Sequence, residues 1–152
     1  MYLRWLFAVL HLLGLGIGLA AVWSRSRALR GDLNNDGLQR VFLADTFWGI
    51  AAGLWITTGL IRAFTGLEKG SAYYLGNSMF LIKMGLLLVI LVLEVWPMVT
   101  LIRWRLKSRQ GELPNVSAAP AIARISQVQV GLVILMVVAA TAMARGIGAD
   151  LW

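Results

Sequence analysis

The 152 residues are 59% hydrophobic and 14% charged, with a mean hydropathy of +0.77, whereas a soluble domain is about half apolar and about a quarter charged. That composition suits a lipid-facing surface, and the length allows about four crossings at about 20 apolar residues each. There is no cysteine, which excludes disulfides, iron–sulfur clusters and thiolate metal sites. The net charge of +7 flanks apolar runs and lines no aromatic-studded groove, so it points to membrane topology and not to nucleic acid.

The first apolar run, residues 3–22, starts like a signal peptide, with Arg4 ahead of an apolar core and small residues at Ala20 and Ala21. It is long for a signal core and is followed at once by Arg25 and Arg27, so we read it as a retained helix. The next connection, 23–40, carries Arg25, Arg27, Arg30 and Arg40 against Asp32 and Asp36, and its "GDLNNDG" stretch leaves helices easily. The second run, 41–64, has Asp45 near its start and Arg62 near its end. The middle connection, 65–78, holds only Glu68 and Lys69 as charges, and puts Tyr73 and Tyr74 where an aromatic belt is expected. The third run, 79–102, contains Lys83, Glu94 and Pro97, the last expected to kink it. "GELPNVSAAP" makes a short polar linker to the fourth run, 125–144, with Arg145 just beyond.

The connections 23–40 and 103–124 hold nine of the fourteen basic residues, and a four-helix chain puts both on one side. Positive-inside reasoning places them in the cytoplasm. The expectation is an all-α membrane protein: an antiparallel four-helix transmembrane bundle in the bacterial inner membrane. Both termini and the middle connection are then periplasmic.

Ionisable groups at membrane depth are costly and mark an interior or a pathway. The chain's one histidine, His11, lies roughly 12 Å into a helix that enters from outside, at about 1.5 Å per residue. His11, Gly14 and Gly18 are three and four residues apart and share one stripe. The groove they leave suits either a neighbouring helix, as a small-xxx-small contact, or the flat face of a porphyrin bound through the imidazole. Arg4, Arg62, Lys83 and Arg145 stand near the same surface. Snorkelling to headgroups accounts best for Arg4 and Arg145, whereas Arg62 and Lys83 suit the propionates of a haem. Asp45 and Glu94 are expected to pair with Arg103 or with an arginine of the first connection, locking helices together in preference to forming a proton path.

Three segments, "GLEKGSAYYLGN", "EVWPMVTLIRWR" and "ARISQVQ", carry a likeness over nearly the whole chain. By them the chain resembles an uncharacterised family of bacterial four-helix membrane proteins, catalogued only as a domain of unknown function. More distantly, it is similar to the HemJ type of protoporphyrinogen IX oxidase and the wider group with CopD-like copper-resistance proteins. His11 in "VLHLLG" matches the histidine of the first HemJ helix, and Lys83 in "LIKMGLLLV" matches the lysine opening the third. Arg25 or Arg27 matches the arginine that follows the first helix there. Where HemJ proteins have an Asn-Glu-x-Pro-like stretch in the fourth helix, this chain has Ser126-Gln127-Val128-Gln129.

The resemblance implies a b-type haem, with His11 as axial ligand and Lys83 as sixth ligand or as a propionate or substrate contact. Met79, Met84 and Met143 are the alternative sixth ligands. The expected function is a haem-b or porphyrin-binding inner-membrane protein, extending to a HemJ-like oxidoreductase that takes a tetrapyrrole as substrate and a quinone as acceptor. His11, Gly14, Gly18, Arg62 and Lys83 form its expected site, with His11 on the metal; no further catalytic residue is assigned. The alternative is a non-catalytic accessory subunit of a larger membrane complex; the partners expected in the bilayer are a second copy of the chain, as a homo-oligomer, or that larger complex. Metal transport of the CopD kind ranks last, because one histidine and no cysteine make a poor copper site.

Overall fold

Where no water is at hand, a single chain segment satisfies its own backbone only as a helix, and the four apolar runs obey that constraint. The computed structural model describes residues 2–65 and 71–148, and every regular element among them is helical. The elements are α1 (Tyr2–Ala28), α2 (Asn35–Phe64), a short α3 (Ser71–Leu75), α4 (Ser78–Arg109) and α5 (Ala119–Ala144). All but α3 are long and apolar enough to cross a membrane, and together they form an antiparallel bundle. One end of the bundle, here the terminal end, gathers the start of α1, α3 and the end of α5. The other, the basic end, carries the two arginine-rich connections.

At the terminal end the helices stop within a residue of where hydropathy places them. At the basic end each runs six or seven residues further than expected: α1 to Ala28, α2 from Asn35, α4 to Arg109, α5 from Ala119. Hydropathy marks where lipid-compatible side chains stop, but a helix stops where its backbone is capped. The Asn34 side chain accepts from the Gly37 N–H at 2.9 Å to begin α2, and Pro120 lies in the first turn of α5. Gly111, at φ +78°, follows α4. The extensions are also packed: Leu38, Val41, Leu101, Trp104 and Ile122 form a buried cluster at this end.

α1 is the central element, lying against α2 along its length and against α5, while α4 leans mainly on α5. α2 and α4 barely meet, leaving a cleft between them. The α1–α2 approach is set by glycines: a Cβ at Gly14 would come within 3.2 Å of the Trp55 backbone. Pro97 sits inside α4 with its ring buried, and α4 continues through it as one element. In the middle connection Glu68 and Lys69 lie outside the described residues, as does part of the "GLEKGSAYYLGN" segment. Beyond them α3 brings Tyr74 inward against Phe80 (ring centroids 5.3 Å apart) and Ala63. Tyr74 is therefore a buried residue and not part of an interfacial belt, because the short helix folds over the bundle end.

Candidate functional site

His11 faces α2. Its Nε2 accepts from the Trp55 indole Nε1–H at 3.1 Å, so the ring proton is on Nδ1. Nδ1–H is shared between the Trp55 carbonyl at 3.0 Å and Thr58 Oγ1 at 3.1 Å. Thr58 in turn donates to the Leu54 carbonyl at 2.7 Å, a bond back within α2. Gly59 leaves room for the imidazole, since a Cβ there would come within 3.0 Å of His11 Cε1.

Beside this histidine lies a cavity of about 490 Å³. Its walls come from every helix at the terminal end and include His11, Trp55, Arg62, Tyr74, Lys83 and Met136. A recess of about 40 Å³ on the α2–α4 side shares His11, Trp55, Gly59 and Lys83. Three of the five residues expected from sequence therefore meet at one cavity: His11 from α1, Arg62 from α2 and Lys83 from α4. Gly14 and Gly18 do not. They face α2, with Gly18 nearest Ala51 and Trp48, so the groove they make is filled by a helix. Of the remaining cations, Arg4 and Arg145 are exposed. Met84 borders the recess and Met143 the cavity, whereas Met79 lines neither.

Nearer the basic end lies a second polar cluster, centred on Arg25. Arg25 is not in a loop, as its place among the connection's charges suggested, but inside α1 and fully buried. It is 14 residues from His11, about 21 Å along the helix. Its five N–H donors are all used. Nε donates to Ser126 Oγ at 3.0 Å, Nη1 to Asp45 Oδ1 at 3.0 Å and Glu94 Oε1 at 2.6 Å. Nη2 donates to Glu94 Oε2 at 2.8 Å and Gln129 Oε1 at 2.9 Å. One guanidinium thus joins α1, α2, α4 and α5, with the bidentate geometry that favours arginine over lysine. Gln129 Nε2 donates to the same Glu94 oxygen at 2.8 Å, and Arg105 reaches Asp45 Oδ2 at 3.4 Å. Trp48 covers the guanidinium at 5.9 Å.

The expectation that Asp45 and Glu94 pair with an arginine of the first connection holds for Arg25, while Arg103, the other expected partner, is exposed. Glu94 lies at the middle of α4, because the helix continues to Arg109. Sequence reasoning left Arg25 undistinguished among the arginines of the first connection and missed Ser126 and Gln129 as its partners. The signal was there: two polar residues three apart in an apolar run, and two intramembrane carboxylates that needed a cation.

Fold and sites together define a small polytopic membrane protein, a four-helix bundle with a polar lock at one end and an open cavity at the other. Over residues 3–148 the chain matches a family described as predicted membrane protein (DUF2214), and it belongs to that family. No curated protein and no solved structure shows significant similarity to the chain.

Proposed function

We propose that the terminal-end cavity binds a flat, amphipathic tetrapyrrole, with haem b as the resident form. The observation that carries this reading is the convergence of His11, Arg62 and Lys83 on one largely apolar cavity from three different helices. Ligand pockets of this kind run from about 300 to about 1,000 Å³ with a few placed polar groups, and the cavity's 490 Å³ falls in that range. Aromatic and methionine side chains suit a porphyrin face, and two cations suit its two carboxylates. The Nδ1–H bond to the Trp55 carbonyl is the arrangement that orients metal-bound imidazoles. Nε2, the ligating atom in this reading, accepts the Trp55 indole N–H. His11 would hold the iron through Nε2 only with that indole bond released, and Trp55 itself borders the cavity.

Haem, when bound, supplies one-electron redox chemistry. The chain's own part is to hold the imidazole through Trp55 and Thr58, to receive carboxylates at Arg62 and Lys83, and to keep water from the ring. HemJ-like oxidation of a tetrapyrrole, with a membrane quinone as acceptor, is the catalytic extension of this reading. The basic connections are assigned to the cytoplasm and the termini to the periplasm of a bacterial inner membrane, on positive-inside grounds.

The test is the visible spectrum of protein produced with ample haem. A Soret band is expected in the wild type and in Trp55→Phe, which removes the indole N–H from Nε2. His11→Ala should lose the band and Lys83→Met should weaken or shift it. A colourless wild type overturns the reading. A second reading, a non-catalytic accessory subunit, then takes its place; the indole cap on His11 Nε2 and the fully satisfied Arg25 guanidinium favour it, since both are closed hydrogen-bonded arrangements.

A further inference from the structure

At the basic end the cleft between α2 and α4 widens into a groove of about 300 Å³, separate from the cavity and independent of any tetrapyrrole. Its walls are two helical stripes. Gln39, Phe42, Leu43 and Thr46 recur at helical spacing on α2, and Arg105, Ser108 and Arg109 do so on α4. The lining contains two guanidinium groups and no carboxylate.

Arg105 is only partly committed. One nitrogen, Nη2, donates to the Phe42 carbonyl at 2.9 Å and to Asp45 Oδ2 at 3.4 Å, while its buried Nε has no hydrogen-bond partner. A buried, unmet guanidinium N–H costs free energy comparable to a lost charged hydrogen bond, so Arg105 is short of an acceptor. Asp45, the nearest acid, already accepts from Arg25. Arg109, one turn further along α4, is exposed at the groove mouth.

Below the arginines α4 presents a continuous exposed apolar stripe. Val95, Met98 and Ile102 are 56%, 46% and 49% exposed and lead by three- and four-residue steps to Arg105 and Arg109. On α2, exposed Leu43 borders the groove and exposed Ile50 lies two turns along the same face, while Phe47 turns toward the α1 side. A phosphate at the arginines with hydrocarbon along these stripes matches both chemistries at their proper depths.

We propose that the basic end of the α2–α4 cleft is a binding site for an anionic phospholipid, whose phosphate is received by Arg105 and Arg109 and whose acyl chains lie along the two stripes. Snorkelling alone explains an arginine at the interface, but not a groove that gathers two of them beside an unmet N–H.

The test uses the full chain in detergent, with bound lipid read by native mass spectrometry. Phosphatidylglycerol should be retained about fivefold over phosphatidylcholine, the preference one added surface cation confers. Arg109→Gln should bring that ratio to about one. Lys107→Gln, which removes the same charge from another face of the same helix turn, should leave it unchanged. Equal loss in both variants would mean general surface charge and overturn the site, as would an absence of preference in the wild type. Displacement of the lipid by equimolar inorganic phosphate would show a small-anion site and equally overturn the lipid assignment.

Discussion

A single side chain, Arg25, holds all four long helices, and its energetics are those of a buried ion. Taking a charge out of water costs several kcal/mol, recovered only when every donor is met. Arg25 meets that condition through Asp45, Glu94, Ser126 and Gln129. Arg25→Ala leaves two carboxylates facing one another and should destabilise the protein by about 3–5 kcal/mol, seen as a large fall in the thermal midpoint in detergent. Glu94→Gln and Asp45→Asn should lower it less, with Glu94→Gln the costlier because Glu94 supplies both oxygens to Arg25. Either amide variant should retain any bound chromophore; loss of the chromophore without loss of stability would contradict the separation of the two sites. The sequence made the carboxylates and His11 conspicuous, because charge in an apolar run is conspicuous. It hid Arg25, because an arginine at the end of an apolar run looks like any other flanking cation. Trp55 was hidden for a similar reason: one of seven tryptophans carries no mark of the histidine it caps.

Among the elements, the close approach of α1 and α2 rests on small residues. Gly14 has the Trp55 backbone within 3.2 Å of where a Cβ would stand, whereas nothing lies within 4 Å of the same point at Gly16. Backbone atoms cannot step aside as a side chain's end can, so Gly14→Ala should cost about 1–3 kcal/mol by overpacking. Gly16→Ala, two residues away in the same helix, should be neutral or mildly stabilising. Matched thermal melts of the two variants check the contrast. The helices themselves were legible at the terminal end, where the polar residues begin as the helices end. At the basic end they were underestimated by up to two turns, because charged residues there lie on the helices themselves. The small α3 was illegible: five residues carry too short a pattern to separate from a turn.

At the scale of the whole molecule, both basic connections emerge at one end and the described ends of α1 and α5 at the other. A chain with no cysteine lets that arrangement be read by single-cysteine labelling. Ser117→Cys, exposed in the second basic connection, should resist a membrane-impermeant maleimide in intact cells, and Ala72→Cys, exposed in α3, should react; the reverse pattern would invert the topology. The polar lock near the basic end has an electrical consequence as well. Arg25 and Arg105 carry two positive charges, and Asp45 and Glu94 two negative ones, linked as a chain of ion pairs from Glu94 through Arg25 and Asp45 to Arg105. A lone charge within the bilayer feels the membrane voltage, worth about 2.3 kcal/mol when it is carried across 100 mV. A cluster whose linked charges sum to zero feels far less. The energised membrane therefore exerts no net pull on the fastening of the four helices, and the bundle is held as firmly in a charged cell as in a depolarised one.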